Sequence, residues 1–513
     1  MNAASSIRFF LRKRATQQKA SVLVIVLWIA FGLVSIALYF GQSMLFNLQA
    51  VDNYEAGVQA DHAIEAAARY ICFVLTNLQL QVQSSGTNMP GILILPGTLQ
   101  CYTTTSAQNP YTQTYLTEEV PVGDAKFWLI GRDSGGVSNV NSDVPMFGLV
   151  DEASKLNLNT ATLAMLEALP NMTVEAASSI LNWRTNATAA ITGGAELEYG
   201  MLNPPYTCKN APFETVDELK LVLNVTTDML YGADINLNGI LDFNESSQNT
   251  PQTGVNLDNG LNAGILNYVT IYSQEPNIQA DGTARINVNT ASAGGTGGAG
   301  GATGGATGGA SGLQTLLQNT FSAQRANQII QRAGLSTSGG GPGPGSGGTT
   351  PTFGSVLEFY VRSGMTADEF AQVADALTTT SATSVPGLVN VNTAPAPVLA
   401  CVPGIGPDNA QTVVAYRQAH PDQLATVAWL TQALGVTATN AGPYVTTKSY
   451  QFSADVAAVG HYGRGYRRTL FVFDMSGGLP KIIYRRDETQ RSWALGNVRS
   501  RLQQTQTQTG KSS

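Results

Sequence analysis

Residues 21–40, SVLVIVLWIAFGLVSIALYF, contain no charged side chain. They follow a segment with five cations and no acid, namely Arg8, Arg12, Lys13, Arg14 and Lys19. At about 1.5 Å per helical residue, twenty residues reach roughly 30 Å and span the hydrocarbon core of a bilayer, while flanking cations stay on its cytoplasmic side. We therefore expect a single-pass membrane anchor with a cytoplasmic N-terminus and its bulk, after Gly41, across the membrane.

This stretch has two other interpretations, a secretory signal peptide and an anchor helix that is never processed. A secretory signal peptide would have a shorter apolar run followed at once by a small-residue cleavage site. Here the apolar run continues into a second helical pattern, in which small and aliphatic residues recur at three- and four-residue spacing over residues 56–74. One long helix, half in lipid and half in water, is favoured, and an anchor helix that is never processed remains the alternative.

Charge is segregated along the 513 residues, whose formal net charge is -7. Residues 1–20 carry +5 and residues 461–513 carry +7, which leaves -19 on the residues between them. An acidic body is poorly suited to polyanionic partners such as nucleic acids. The cations near the C-terminus are expected on the solvated face of edge strands, and contact with the acidic face of a neighbouring subunit is the alternative. They are Arg464, Arg467, Arg468, Lys481, Arg485 and Arg486.

Alternating and aromatic-rich runs predict antiparallel strands in two separate parts of the chain. The runs lie at 92–95, 114–122 and 126–130, and again at 450–456, 468–473 and 481–484. A sheet that begins before residue 150 and is completed after residue 445 makes the segment between them an insertion.

Three copies of one motif occur in this insertion, at residues 156–161 (LNLNTA), 286–291 (INVNTA) and 389–394 (VNVNTA). An Asn or Thr at a helix start accepts hydrogen bonds from the free amides of the first turn. The motif therefore predicts a strand-to-helix cap with a structural role. The glycine-rich segments at 293–312 and 338–350 are expected to be tethers or surface loops.

The strongest local motif is residues 234–245, DINLNGILDFNE. Laid on a twelve-position calcium loop, its oxygen donors fall at the liganding positions and Gly239 falls at the turn. The predicted ligands are Asp234, Asn236, Asn238, the Ile240 carbonyl, Asp242 and Glu245. Two Asn ligands lower the negative charge, so we expect modest affinity and a structural Ca²⁺. An Asx-rich turn without metal is the alternative.

Two segments, 169–183 and 402–417, resemble helix-hairpin-helix units. In DNA-binding members, glycines let backbone amides approach phosphate and nearby cations supply the affinity. Cations are scarce here, with Arg184 beside the first unit and Arg417 in the second. A compact helical module that packs on or binds protein is therefore favoured over nucleic-acid binding.

No constellation of residues predicts an enzyme. The three histidines, His62, His420 and His461, lie far apart in sequence and in no metal-ligand or nucleophile motif. The adjacent acids Asp151 and Glu152 are expected to be solvated.

Four cysteines, Cys72, Cys101, Cys208 and Cys401, lie in the predicted extracytoplasmic part, where disulfides persist. Their spacing does not determine the pairing, although Cys72 and Cys101 are close enough in sequence to be the favoured pair. No two of them have the spacing of a zinc motif.

The basic leader and apolar helix resemble the N-terminus of type IV pilins and pseudopilins, in which a prepilin peptidase cuts just before the helix. Here that cut falls between Ala20 and Ser21. The family usually has Gly before the cut and Glu at the fifth mature position, where this chain has Ala20 and Ile25. With the split sheet, the repeated motif, the calcium loop and the closing strand at 451–455, the chain resembles the general secretion pathway protein K family, the K-type minor pseudopilins of the type II secretion system.

The resemblance implies an α+β pseudopilin fold, in which a long N-terminal transmembrane helix packs on an antiparallel sheet that carries a large, mainly helical insertion with helix-hairpin-helix or SAM-like units. It implies an inner-membrane protein with its bulk in the periplasm, at the tip of the pseudopilus, that helps initiate assembly and export of folded proteins. Family members use calcium structurally.

The implied partners are the other minor pseudopilins of the tip, the inner-membrane assembly platform, the prepilin peptidase, and the outer-membrane secretin or secreted substrates. Ile25 suits the tip, because no subunit lies ahead whose charged N-terminus would need a carboxylate in lipid. The rival function is a membrane-anchored helix-hairpin-helix DNA-binding protein of competence type, which would need a basic insertion.

The predicted organisation has eight parts. They are a leader at 1–20, the transmembrane and extended helix at 21–85, the first part of the pilin-like sheet at 86–150, the first part of the insertion with the calcium loop at 151–292, glycine-rich linkers around a short helix at 293–350, the second part of the insertion at 351–444, the second part of the sheet at 445–490 and a tail at 491–513.

Overall fold

A computed structural model of the chain describes residues 4–84, 92–93, 115–132, 145–185, 195–242, 245, 262–290, 309–335 and 352–498. Within these residues the α-helices are α1 (Ala4–Ser84), α2 (Leu163–Glu167), α3 (Val174–Arg184), α4 (Ala195–Gly200), α5 (Thr227–Tyr231), α6 (Gly309–Thr320), α7 (Ala323–Ala333), α8 (Val356–Ser363), α9 (Ala367–Val373), α10 (Ala396–Ala400), α11 (Gly406–Ala419) and α12 (Trp429–Leu434).

The strands of the same residues are β1 (Ile92–Leu93), β2 (Val120–Val122), β3 (Ala125–Ile130), β4 (Val150–Asp151), β5 (Leu156–Asn157), β6 (Val269–Thr270), β7 (Gln274–Pro276), β8 (Ile286–Asn287), β9 (Leu377–Thr378), β10 (Ser384–Pro386), β11 (Val389–Asn390), β12 (Val445–Thr446), β13 (Lys448–Ser449), β14 (Gln451–Val459), β15 (Arg467–Asp474) and β16 (Lys481–Asp487). This mixture of helices with a separate antiparallel sheet confirms the α+β class.

The main sheet joins early and late parts of the chain. Its order is β16-β15-β14-β3-β2, and β4 also pairs with β14. All of these pairs are antiparallel, and Ala457 of β14 lies opposite Trp128 of β3. Strands on either side of a segment of about 300 residues therefore share one sheet, as the strand patterns predict.

The two faces of this sheet have different partners, because successive strand residues point to opposite sides. Phe127 and Phe452 face α1, whose small residues, such as Ala60 and Ala63, let the helix approach closely. Trp128 and Ala457 face the other way and pack against a C-terminal segment that includes Ala494, Leu495 and Val498. We call residues 493–498 the C-terminal segment.

Helix α1 combines an exposed apolar part with a buried one. Side chains from Val22 to Phe40 are exposed, whereas Ala56 and those that follow at helical spacing are buried against the sheet. The helix contains a stretch long and apolar enough to cross a membrane. It is therefore a candidate membrane anchor, as the sequence predicts.

The three motif copies adopt one local structure. Their first two residues form β5, β8 and β11, and each pairs in parallel with a later two-residue strand, β6, β9 and β12 respectively. In every copy the side-chain oxygen of the first Asn accepts a hydrogen bond of 2.9 Å from the main-chain amide of the second Asn. This contact is an Asx turn.

The predicted capping role of the motif is wrong in its detail. Thr162 caps α2 and Pro395 precedes α10, so the motif's own Asn and Thr side chains do not cap those helices. The second Asn instead holds distant main chain. Asn289 donates from Nδ2 to the Phe353 carbonyl and accepts from the Phe353 amide, at 3.0 and 2.7 Å.

The predicted tethers lie mostly outside the described residues. Helix α6 nevertheless begins at Gly309, so the last residues of the first glycine-rich segment are helical.

Candidate functional site

The structure brings the predicted calcium ligands together in one buried loop after α5. Asp234, Asn236, Asn238 and Glu245 are all buried. The Asp234 carboxylate accepts hydrogen bonds from the amides of Asn238 and Gly239, at 3.0 and 2.9 Å. Gly239 has a φ of +79°, which a residue without a Cβ adopts without strain.

The rest of the loop closes through Glu245. One of its oxygens accepts from the Asn236 amide at 3.0 Å, and the other accepts from the Asp242 amide at 3.1 Å. The Ile240 amide donates to the Asn238 side-chain oxygen at 3.0 Å. The twelve-residue wrap that the sequence predicts is thus present in hydrogen bonds, while Phe243 and Asn244 lie outside the described residues.

Buried oxygen atoms dominate the electrostatics of the loop, and Asp242 Oδ2 accepts from Nδ2 of Asn236 and of Asn238 at 2.6 and 3.0 Å. Burial raises the pKa of Asp234 to about 7 and also raises the pKa of Glu245. The side-chain oxygen of Asn236 is buried and has no hydrogen-bond partner in the described part of the chain. Buried carboxylate and amide oxygens without compensation are costly, and hard oxygen donors are the ligands that calcium prefers.

The loop's carboxylates do not by themselves form a metal cluster. Within the described ranges, no three His, Cys, Asp or Glu side chains converge as a metal site would require. A cation in this loop would therefore depend on amide and main-chain oxygens as well as on the acids.

Arg468 anchors the loop to the sheet. This side chain is only 1% exposed. It donates to the carbonyls of Asn236 and Leu237 at 2.6 and 3.2 Å, and it forms a bidentate pair with Asp455 at 2.6 and 2.9 Å. The expectation that Arg468 is solvated is therefore wrong. The sequence did contain a signal for this burial. Arg468 alternates with Leu470 and Val472, and residues two apart share a face of a strand.

The arginines of the hairpin units are also engaged internally. Arg417 is buried and donates to the carbonyls of Val391 and Ala394 at 2.8 and 2.7 Å. Arg184 makes the same contacts in the first copy of the motif, to the carbonyls of Leu158 and Ala161. These cations support the motif, so they do not offer the phosphate contacts that DNA binding needs.

The acidic pair is buried, contrary to the expectation that it is solvated. Asp151 accepts from the hydroxyls of Ser449 and Thr393 at 2.6 and 2.5 Å and from Asn390 Nδ2 at 3.2 Å. Burial raises the pKa of Asp151 to about 6. Because this acid joins β13 to the third copy of the motif, its role is structural.

The remaining predicted residues are less informative. Among the described residues, Cys72, Cys208 and Cys401 form no disulfide with one another, and burial raises the pKa of Cys401 to about 12. Cys101 lies outside the described residues, so its predicted pairing with Cys72 stays a prediction. Ala20 and Ser21 lie within α1, and their side chains lie outside the described part.

Comparison with known families gives one match. Residues 389–448 match the family described as type II secretion system (T2SS), protein K. The match begins at β11, covers the second hairpin unit and ends in β13. No curated protein matches the chain. This match supports the predicted relationship to the type II secretion system protein K family, over residues 389–448.

Proposed function

We propose that this chain is a minor pseudopilin at the tip of the type II secretion pseudopilus, where it helps initiate assembly and the export of folded proteins. The family match over residues 389–448 carries this proposal. The exposed apolar part of α1, followed by a part packed on an antiparallel sheet, supports it. The tip position is favoured by Ile25 and by the size of the segment between β4 and β14, which suits a subunit with nothing stacked above it.

Processing of the N-terminus is the first test. We expect N-terminal sequencing of membrane-extracted protein to begin at Ser21, because the apolar helix starts there after a basic leader. An intact Met1 would contradict the pilin route.

Secretion is the second test. Deletion of the gene should remove type II substrates from the medium and leave them in the periplasm, and the wild-type chain should restore export. Cross-linking in membranes should recover other minor pseudopilins with this chain. Unimpaired export of these substrates in the deletion strain would contradict the proposal.

The DNA-binding alternative has no supporting contact, since Arg184 and Arg417 bind main-chain carbonyls. A gel shift at low salt tests it directly. Clear retention of duplex DNA by the purified protein would overturn our choice.

We also propose a structural Ca²⁺ held by Asp234, Asn236, Asn238, the Ile240 carbonyl, Asp242 and Glu245. The buried, unpartnered oxygen of Asn236 and the raised pKa values of Asp234 and Glu245 support it. Calcium would cross-link the loop and supply no acid-base or redox chemistry. Calorimetry on the detergent-solubilised chain should show binding that Glu245→Gln weakens at least about tenfold. Equal binding by both proteins would exclude this loop as the site.

A further inference from the structure

The loop between β14 and β15, residues 460–466, lies directly on the backbone of α1. A Cβ on Gly460 would lie 2.2 Å from the Ala56 carbonyl oxygen, and one on Gly465 would lie 2.3 Å from the Ala56 carbonyl carbon. A side chain at either glycine therefore has no room. His461 follows the first of these glycines, and its side chain is only 13% exposed.

The imidazole of His461 contacts two oxygen atoms of α1. Its Nε2 lies 2.7 Å from Asp52 Oδ1, and its Nδ1 lies 2.9 Å from Gln59 Oε1. Asp52, Ala56 and Gln59 are four and three residues apart, so they lie on one face of the helix. The ring thus bridges two helical turns over a small residue that leaves room for it.

Both contacts require a donor on the ring. The main-chain amide of His461 also donates to Gln59 Oε1, at 3.0 Å, so the oxygen of this carboxamide faces the loop. The hydrogen bond from His461 lowers the pKa of Asp52, which favours the carboxylate, a group that can only accept. An imidazole that faces an acceptor at each nitrogen satisfies both only when both nitrogens carry a proton, as in the imidazolium cation.

The charges in contact with the ring are compatible with this cation. Asp52 contacts the ring through one oxygen, and Arg464 of the same loop pairs with the other oxygen. Arg464 is about half exposed, so water screens its repulsion of the ring. Other titratable side chains at this contact are Tyr462, whose ring meets the imidazole edge to face, the exposed Glu55 of α1, and Arg467 of β15, which pairs with Asp61 of α1.

We propose that His461 forms a pH-dependent contact that fixes the sheet on α1. With both ring nitrogens protonated, it donates to Asp52 and to Gln59. When the pH rises and one proton leaves, one acceptor loses its donor and faces a nitrogen lone pair instead. Because the packed arrangement favours the protonated ring, its stabilising contribution is present at low pH and is lost as the pH rises.

Hydrogen exchange of the full-length chain in nanodiscs, read by mass spectrometry, tests this proposal. After correction for the pH dependence of intrinsic exchange, protection of residues 52–60 should fall at least about fivefold from about pH 5.5 to about pH 8, since a hydrogen bond to a charged group is lost. Residues 64–75 of the same helix pack on the sheet through apolar side chains, so their protection should change less.

Two variants separate the proton from the rest of the contact. His461→Gln cannot titrate, so protection of residues 52–60 should be low and nearly equal at both pH values. Asp52→Asn supplies a group that can donate to a neutral ring nitrogen, so protection should stay high at both pH values. His62→Gln is the matched control, because His62 is exposed on the same helix, and it should keep the pH dependence of the wild type.

Three results would overturn the proposal. The first is equal protection of residues 52–60 in the wild type at the two pH values. The second is a pH dependence that persists in His461→Gln, because another group would then be responsible. The third is a pH dependence of wild-type size in Asp52→Asn, which would exclude the carboxylate as the second acceptor. Circular dichroism checks that each variant is folded, and the comparison of the wild type with Asp52→Asn decides even where His461→Gln is not.

Discussion

At the scale of single residues, the polar groups that matter most to this fold are buried and paired over long distances. Arg468 meets Asp455 and the loop at 234–245. Arg417 meets two carbonyls of the third motif copy, and Asp151 meets Ser449 and Thr393. Buried polar groups are almost always satisfied, and removing one partner leaves the other at the full cost of desolvation. These residues therefore stabilise the fold through their partners.

Arg468→Met should destabilise the chain by about 3–5 kcal/mol, because Asp455 and the carbonyls of Asn236 and Leu237 would lose their donor in a buried site. Chemical denaturation followed by intrinsic tryptophan fluorescence measures this loss of stability. Arg485→Met is the matched control, since its pair with Glu65 is about half exposed and should contribute less than about 1 kcal/mol. Equal losses in both variants would contradict the buried pairing.

Asp151 should make stability depend on pH. Burial raises its pKa to about 6 from an ordinary value of 3.8, so the folded chain holds this proton more tightly than the unfolded chain. Stability should therefore rise as the pH falls from about 7 to about 5, with about 1 kcal/mol coming from this group.

The variant Asp151→Asn isolates that contribution, because it cannot titrate. Denaturation at several pH values should give a gain between about pH 7 and about pH 5 that is smaller by about 1 kcal/mol in the variant than in the wild type. Identical pH profiles would show that Asp151 does not hold the proton.

At the scale of elements, the repeated motif builds the same unit three times. A two-residue strand ends in an Asx turn, and the second Asn reaches far along the chain. In the first two copies its target is the main chain of Phe213 or Phe353, and in the third it is the Leu424 carbonyl and the Trp429 indole. Each copy of the motif thus attaches its strand to a segment that follows it in the chain, through hydrogen bonds of the second Asn.

Asn392→Asp should destabilise the third unit by about 1–3 kcal/mol, because a carboxylate cannot donate to the Leu424 carbonyl in a buried site. Thermal melting followed by circular dichroism checks this. Asn440→Asp places the same change on the surface and should have little effect. A loss of stability no larger than that of the control would contradict a stabilising role for the hydrogen bonds of Asn392.

At the scale of the whole molecule, the second half of α1 packs on the main sheet, and this contact joins the candidate membrane anchor to the rest of the described chain. The loop after β14 approaches the helix backbone so closely that a Cβ on Gly460 would lie 2.2 Å from the Ala56 carbonyl oxygen. Around it, Arg464 pairs with Asp52, Arg467 with Asp61 and Arg485 with Glu65. Close backbone contact and charge complementarity fix the helix along the sheet.

Gly460→Ala should weaken this docking by about 1–3 kcal/mol, because the added methyl group forces the loop and helix apart. Limited proteolysis, on protein in nanodiscs, of the part of α1 that packs on the sheet should become faster. Gly477→Ala is the matched control, since nothing lies within 4 Å of its added Cβ. Equal cleavage rates for the two variants would refute the close packing.

Much of this arrangement was predictable because it depends on local sequence patterns. The uncharged run of α1, the period-two strands, the three motif copies and the register of the calcium loop each depend on neighbours a few residues apart. The helix and the main sheet were predicted for that reason, whereas the calcium ligands among Asp234 to Glu245 stay a prediction.

The sequence by itself predicted the long apolar helix and most strands of the main sheet, since periodicity and spacing are properties of short segments, although Ile92–Leu93 pairs with β13 outside that sheet. Only the tertiary structure decided which buried group each polar residue meets. Arg468 and Asp151 looked like solvated charges because their partners lie elsewhere in the chain. Burial that depends on distant partners is not predicted by the residues next to a charge.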